Sequence, residues 1–309
     1  MFHFKLARHS LTLTTKHHNM ADLSPDTNPM ASQAGVTPEL ALAPVPSTML
    51  VTLTSRARDC ANPPEQRILG DPWAQRTLDK LGRKVPPATH KTFDIFVALR
   101  SRLLDAWTCE FLDAHPDGTT VLNLGCGLDS RALRLSSGGR TRWIDVDLPE
   151  VVELRKDLLP RPEGDYKLVA ASVTDDAWLH EIPADRPTVV VMEGLLMYLE
   201  QAEVRRLVQR ICDRFETGQI LADIMGRFSL FMQGRTSKPI TSTGAVFVSS
   251  VDHGSELAAV HEKLRVRTEV RHWEHANERT MPMLARVLLW LMSWIPGIAT
   301  ARSEMRFEF

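Results

Sequence analysis

The stretch Val121–Asp129 constrains the fold of this chain more than any other part of the sequence. A run rich in branched apolar residues leads directly into a Gly-x-Gly turn, made by Gly125 and Gly127, and helix-favouring residues follow it. This order predicts a strand, a tight loop and a helix. Glycine tolerates backbone angles that are closed to other residues, and its missing side chain lets a ligand approach the main chain. The stretch therefore predicts a nucleotide-binding loop.

A second feature indicates which kind of nucleotide the loop would bind. Residues 141–147 are typical of the next strand and end in an acid, Asp147, 20 positions after Gly127. A carboxylate at this place can accept both hydrogen bonds of a ribose diol. The dinucleotide motif Gly-x-Gly-x-x-Gly would require glycine at position 130, which is Ser130 here, so a bound pyrophosphate is disfavoured. The two features together predict a ligand that contains adenosine.

The chain around the loop alternates between helical and extended patterns. After the loop, predicted helices cover residues 149–158, 175–180 and 201–215, and predicted strands cover 166–170, 188–192 and 219–224. Before it, one helix begins at Asp71 and Pro72 and another covers residues 91–115. Near the end, strands at 264–273 and 304–309 flank an apolar helix at 283–294. Alternating strands and helices predict an α/β fold with a parallel sheet.

Composition excludes several classes of partner. The chain of 309 residues carries 37 basic and 38 acidic residues, so no overall field favours nucleic acid or an anionic membrane. Its four cysteines form no Cys-x-x-Cys pair, which argues against structural zinc and disulfides, and no metal site is predicted. The longest strongly apolar run, residues 287–295, is too short to span a bilayer. We expect a cytoplasmic protein that acts on small molecules.

The amino terminus differs in composition from the rest of the chain. Residues 1–46 are rich in Ser, Thr and Pro and lack a sustained apolar period, which predicts a disordered tail. The structured domain is expected to cover residues 47–309.

Three ordered motifs resemble the leucine carboxyl methyltransferase family. They are Leu124–Arg131, then Trp143–Pro149 with Lys156 seven residues further on, and then Val191–Leu199. Asp71-Pro72, the segment from Arg100 to Asp105, and Val251–Leu257 are more similar to the branch of tetracenomycin-type polyketide O-methyltransferases. The resemblance covers residues 47–309.

This resemblance implies a class I methyltransferase that uses S-adenosyl-L-methionine. The implied fold is Rossmann-like, with a seven-stranded, mostly parallel sheet, helices on both faces, and a helical cap over about residues 47–116. The implied reaction is transfer of a methyl group to an oxygen atom of a small-molecule acceptor.

The family pattern also assigns cofactor-binding roles. Gly125 and Gly127 would approach the methionine portion, and Asp147 would take the ribose hydroxyls. Asp145 is a second candidate for the ribose, with a purely structural strand residue as the equal alternative. Arg100 would pair with the cofactor carboxylate through a bidentate fork, and its alternative is a surface ion pair with Asp94 or Asp105.

Three further residues belong to the predicted site. Glu193 ends the fourth strand, where it would bind the cofactor amino group or shape the methyl-transfer site. Val173 would contact the adenine, and Ser172 stands where the family often has an acid, so Asp175 is an alternative partner for the base.

The acceptor side is predicted from two catalytic candidates and one segment. His253 is the candidate general base, with a surface histidine as the alternative, and His261, His272 and His275 lie in the same half of the chain. Tyr198 is the second candidate. It would line the pocket beside Met197, and the alternative is that it belongs to the core. A phenol, with a pKa of about 10, would gain from a base, whereas a carboxylic acid would not need one.

The segment from Arg227 to His253 is predicted to form an aromatic wall for the acceptor. It contains Phe228, Phe231, Met232 and Phe247 among glycines and small polar residues. Core packing is the alternative, and it explains Phe247 equally well.

Three functions are compatible with these residues. The first is O-methylation of a small polyketide-like metabolite at a carboxylate or phenol oxygen. The second is methylation of a protein carboxyl terminus. The third is a methyltransferase fold that binds the cofactor but performs cyclising chemistry without methyl transfer.

Overall fold

The computed structural model describes residues 44–83, 91–135, 139–233, 240, 243–271, 274, 283–292, 294–295 and 300–309. Most of the predicted tail therefore lies outside the described residues. The helix α1, Pro44–Ala61, begins inside the segment that was assigned to the tail. The sequence pattern gave no boundary for this helix, because its apolar and polar residues do not separate clearly along one face.

The described strands form one seven-stranded sheet. They are β1 (Thr119–Leu124), β2 (Thr141–Asp147), β3 (Asp165–Ala170), β4 (Thr188–Met192), β5 (Gly218–Met225), β6 (Arg265–Arg271) and β7 (Arg302–Glu308). Their order across the sheet is β3-β2-β1-β4-β5-β7-β6. The first five strands are parallel, and β7 runs antiparallel to both β5 and β6. This confirms the predicted α/β fold with a mostly parallel sheet.

The helices cover the sheet and its carboxyl edge. After α1 come α2 (Pro72–Lys80), α3 (Lys91–Ala114), α4 (Arg131–Arg134), α5 (Pro149–Leu158), α6 (Ala177–His180), α7 (Gln201–Arg214), α8 (Arg227–Phe231), α9 (Gly254–Ala258) and α10 (Met283–Met292). Asp71 caps α2 by accepting a hydrogen bond from the Trp73 N–H at 3.0 Å, and Pro72 supplies the first helical residue. None of the described helices is both long enough and apolar enough to cross a bilayer.

The central strands are buried on both faces. Every residue of β1, β4 and β5 is buried, as expected for parallel strands with helices on each side. On one face, Leu104, Trp107 and Phe111 of α3 pack against Val121 and its neighbours. On the other face lie the apolar residues of α6 and α7.

Helices α1 and α2 pack beside the glycine loop rather than on the sheet itself. Their buried residues Leu53, Ala57 and Leu78 form a cluster with Leu128 after the loop and Val151 of α5. This packing places α1 at the carboxyl edge of the parallel strands, where ligands bind in open α/β folds.

Candidate functional site

A cavity of about 320 Å³ lies at the carboxyl edge of the sheet. Its walls come from the turns after β1, β2, β3 and β4, from α1 and α3, and from the first residue of β7. The structure brings together most of the predicted site residues in this lining: Arg100, Gly125, Gly127, Asp147, Ser172, Val173, Glu193 and Tyr198. Asp145 and His253 are not part of it.

The glycine loop requires glycine at both predicted positions. Gly125 has a φ of +64° and Gly127 a φ of +47°, which side chains of L residues rarely allow. A Cβ atom on Gly125 would also lie 3.0 Å from Leu195 Cδ1. The loop therefore presents bare backbone to the cavity.

Asp147 is anchored by the loop that it faces. Its Oδ2 accepts a hydrogen bond from the Gly127 N–H at 2.6 Å, and its Oδ1 accepts one from the Leu148 N–H at 2.8 Å. Burial raises the pKa of Asp147, and these two N–H groups oppose that rise. A carboxylate has about four lone-pair sites, so both oxygens can still accept a ribose hydroxyl.

Asp145 occupies a different environment and does not line the cavity. It is fully buried and accepts hydrogen bonds from Asn123, Trp143, Arg155 and Tyr166 at 2.6 to 3.0 Å. Its register partner on β1 is Asn123, whereas Asp147 lies beyond the last β1 pair, Leu124 with Val146. The structure therefore favours the structural alternative for Asp145, because its oxygens already have partners inside the sheet layer.

Arg155, which binds Asp145, also supports the glycine loop. Its Nη1 donates to the backbone oxygen of Gly127 at 2.9 Å and to that of Asp129 at 2.6 Å. Asp145 thus reaches the site indirectly, through an arginine that holds the loop.

Arg100 lies between two carboxylates rather than on the surface. Its Nη1 donates to Asp223 Oδ2 at 2.8 Å, and its Nε donates to Glu193 Oε1 at 3.1 Å. The predicted alternatives are not formed: Asp94 pairs with Arg58, and Asp105 pairs with Arg131 and Arg134.

Glu193 is held ionised. Its Oε1 also accepts from Ser101 Oγ at 2.7 Å, and its Oε2 accepts from Arg131 Nη2 at 2.6 Å. Burial alone would raise the pKa of this carboxyl, but Arg100 and Arg131 lower it to about 2. Glu193 is therefore a carboxylate at neutral pH and a poor acceptor of a proton.

A buried ionic cluster surrounds the far side of Glu193. Arg131 is fully buried and donates to Asp105 at 2.6 Å and to Asp129 at 2.8 Å. Arg134 pairs with Asp71, Asp105 and Asp129, and Arg56 of α1 pairs with Asp71 and Asp129. Sequence reasoning missed this cluster, although most of these residues stand in the motifs quoted above. It also missed Asp223, which the sequence indicates only as an acidic residue inside the apolar strand β5.

The two catalytic candidates have different positions. Tyr198 lines the cavity, its ring centroid lies 5.3 Å from that of Phe247, and burial raises the pKa of its hydroxyl. His253 is exposed at the start of α9, where its backbone N–H donates to Glu256 Oε1 at 3.1 Å. No histidine within the described ranges lines the cavity, and His272 and His275 lie outside those ranges.

Of the four residues named for the aromatic wall, Phe247 lines the cavity, whereas Phe228, Phe231 and Met232 are absent from the lining. Phe247 is buried and lines the cavity together with Ile240. Phe231 is 83% exposed and contributes nothing to the lining. Composition alone could not distinguish the two phenylalanines, because their burial depends on how each segment packs. The short helix α8 buries only Ser229 and leaves Phe231 exposed.

Ser172 and Val173, which are predicted to lie beside the adenine, both line the cavity. Val173 is buried, and Ser172 Oγ lies 2.8 Å from Thr174 Oγ1. Asp175, the alternative partner, is absent from the lining.

Comparison with known proteins agrees with this geometry. The family model described as leucine carboxyl methyltransferase matches residues 49–212. The tetracenomycin polyketide synthesis O-methyltransferase of Streptomyces glaucescens is 34% identical over 272 residues, which cover 87% of this chain and 98% of that protein. An S-adenosyl-L-methionine-dependent methyltransferase of Gibberella zeae is 34% identical over 283 residues, with coverage of 85% and 94%. Among solved structures, a DUF574 family protein from Streptomyces avermitilis has a TM-score of 0.52 at 14% identity, with coverage of 83% and 96%, and shares the fold.

Proposed function

The chain belongs to the leucine carboxyl methyltransferase family, and we propose that it methylates a carboxylate oxygen of a small, aromatic, polyketide-like acceptor. Its dependence on S-adenosyl-L-methionine follows from the family and from relatives that match over most of its length. The resemblance carried by the three sequence motifs is thereby confirmed.

The residues at one end of the cavity fit this cofactor. Gly125 and Gly127 leave room for it against the backbone, and Asp147 has oxygens for the ribose hydroxyls. Glu193 and Asp129 bring negative charge for its cationic amino group, and Arg100 brings donors for its carboxylate. When bound, S-adenosyl-L-methionine supplies an electrophilic methyl group.

The other end of the cavity is suited to an apolar, planar molecule. It is lined by Phe93 of α3, by Met197 and Tyr198 after β4, and by Phe247, which belong to one apolar cluster. Concave sites of this kind, with apolar walls and a few polar groups, are typical of small-molecule binding. The single observation that carries the proposal is this aromatic compartment, which adjoins the glycine loop within one cavity.

The ionisation of the lining favours a carboxylate over a phenol. Burial would raise the pKa of Asp129, but Arg131, Arg134 and Arg56 hold it well below its usual range. Glu193 is likewise a weak base, and the raised pKa of Tyr198 keeps its hydroxyl protonated. Apart from Asp147, which is assigned to the ribose hydroxyls, none of the described lining residues is suited to remove a proton from a phenol near neutral pH. A carboxylic acid, with a pKa of about 4, is already ionised there.

Transfer of a radiolabelled methyl group tests the proposal. The full chain is incubated with methyl-tritiated S-adenosyl-L-methionine and a panel of polycyclic aromatic acids, phenols and short peptides with a free carboxyl terminus. Mild alkali then hydrolyses methyl esters to volatile methanol and leaves aryl methyl ethers intact. We expect volatile label from the aromatic acids only, and loss of it in Asp147→Ala.

Other outcomes would replace the proposal with one of its alternatives. Alkali-stable label would indicate a phenol acceptor, and labelled peptides would indicate methylation of a protein carboxyl terminus. Cofactor binding without transfer to any member of the panel would favour a scaffold that performs non-methylating chemistry.

A further inference from the structure

Arg302 reaches the acceptor end of the cavity from the opposite end of the chain. It is the first residue of β7 and pairs in register with Met225, the last residue of β5. Side chains that are paired across two strands share one face of the sheet, so Arg302 lies on the face of Met225 and Asp223. Met225 belongs to the apolar cluster of Met197, Ile240 and Phe247. Arg302 thus enters the aromatic compartment and lines the cavity.

The guanidinium of Arg302 is placed against the aromatic wall. Its central carbon lies 5.7 Å from the centroid of the Phe247 ring, within the range of a cation–π contact. Tyr198, whose ring faces that of Phe247, lines the same compartment. A planar acceptor that packs beside these two rings would bring its polar substituents close to a guanidinium.

Two other arginines that line the cavity each pair with two buried acids. Arg56 pairs with Asp71 and Asp129, and Arg100 pairs with Glu193 and Asp223. Burial lowers the pKa of Arg302, and the like charge of Arg100 adds to that effect, whereas Asp223, Tyr198 and Glu304 oppose it. A further negative charge would therefore stabilise this cation. Arg302 also interacts within its own chain, but a guanidinium has five N–H donors and can accept an additional partner.

We propose that Arg302 determines acceptor specificity by binding a carboxylate of the acceptor while the aromatic ring of the acceptor packs beside Phe247 and Tyr198. This inference rests on the proposed function and deepens it, because it assigns recognition of the acid to one residue. A planar guanidinium matches the geometry of a carboxylate and forms a charge-assisted pair with it.

Matched pairs of acids and amides test the inference by binding alone. The full chain, loaded with S-adenosyl-L-homocysteine, is titrated by calorimetry at pH 7 with salicylate, 3-hydroxy-2-naphthoate and anthraquinone-2-carboxylate, and with the primary amide of each. The amide has nearly the size of the acid but no charge. We expect at least one acid to bind about tenfold or more tightly than its amide.

Variants then assign this preference to Arg302. Arg302→Met should reduce the ratio of acid to amide affinity to about one, and Arg302→Lys should retain part of it because the charge remains. Arg205→Met is the matched control, since Arg205 is an exposed residue of α7 and should leave the ratio unchanged. The lysine variant keeps the test valid if the methionine variant does not fold.

Several results would overturn the inference. The first is failure of all three acids to bind. The second is equal affinity of the wild type for acid and amide. The third is an acid preference that is the same in the wild type and in the folded Arg302 variants. A purely structural role of Arg302 would lower the melting temperature without changing the ratio. Failure of the proposed function is separate, because it would appear as absent methyl transfer even where acids bind through Arg302.

Discussion

Arg131 donates a hydrogen bond from Nη2 to Glu193 Oε2 at 2.6 Å, and the arginine is fully buried. The contact joins the helix after the glycine loop to the end of β4, the two elements that frame the cofactor end of the cavity. The same guanidinium binds Asp105 of α3 and Asp129. One buried cation therefore fixes the loop, the sheet edge and α3 relative to each other.

Replacement of Arg131 should be strongly destabilising. Arg131→Met leaves buried carboxylates without their partner, and loss of one member of a buried ion pair costs about 3 to 5 kcal/mol. Urea unfolding followed by circular dichroism measures the change. Arg140→Met is the control, because Arg140 forms an exposed pair with Asp117 that is worth about 0 to 1 kcal/mol. Equal effects of the two substitutions would contradict the assigned role of the cluster.

The cluster should make stability depend on acid pH. The folded-state pKa of Glu193 is about 2, below its ordinary value of 4.5, and that of Asp129 is also lowered. A depressed pKa contributes stability that is complete above the ordinary value and is lost as the pH falls towards the folded value. We expect the free energy of unfolding to fall between pH 4.5 and pH 2, and Glu193→Gln to flatten this decline. The control Glu153→Gln, at an exposed residue, should leave the decline unchanged, and a profile that Glu193→Gln does not alter would argue against the pKa assignment.

Asp147 and Asp145 should respond differently to substitution. Asp147→Ala removes the acceptor for the ribose hydroxyls, and each charge-assisted hydrogen bond is worth about 1.5 to 3 kcal/mol. Calorimetry should therefore detect a loss of roughly tenfold to 100-fold in affinity for S-adenosyl-L-methionine. Asp145→Ala should mainly lower the melting temperature, since it strips Arg155 of its buried partner. An unchanged cofactor affinity in Asp147→Ala would return the ribose role to Asp145.

The two phenylalanines of the predicted wall should also differ. Phe247→Ala removes a buried ring from the acceptor compartment and should cost about 3 to 5 kcal/mol of stability along with turnover. Phe231→Ala, at a residue that is 83% exposed, should change the free energy of unfolding by no more than about 0.5 kcal/mol and should leave turnover unchanged. Melting curves and methyl-transfer rates on both variants check this, and a loss of turnover in Phe231→Ala alone would restore that residue to the acceptor site.

Truncation should show where the functional domain begins. Removal of residues 1–43 should leave the melting temperature and cofactor affinity unchanged, because α1 starts at Pro44. Removal of residues 1–61 deletes α1 with its cavity residues Met49 and Arg56, and should abolish cofactor binding. Thermal unfolding and calorimetry of the two truncated chains distinguish the outcomes. A large effect of the shorter deletion would mean that the amino-terminal segment contributes to the site.

The fold class and several residues that line the cavity near the glycine loop could be predicted from the sequence. Gly125 and Gly127 predict the loop because other residue types rarely adopt their backbone angles, and alternating strand and helix patterns predict the parallel sheet. These are local properties, and local sequence encodes them. The match of Arg100 and Glu193 to a family pattern added two residues that the structure indeed places in the cavity.

Which polar groups face the cavity and which face each other depends on contacts between elements that are distant in the sequence. Asp145 and Asp147 share one face of β2, yet α5 brings Arg155 onto the first, while the second lies beyond the last β1 pair. Sequence could not separate them, since the partner of each comes from another element. The same reason applies to Arg302, which reaches the acceptor compartment only because β7 inserts antiparallel beside β5. Long-range packing sets the burial and the charge partners of a residue, and neither can be inferred from the residues next to it in the sequence.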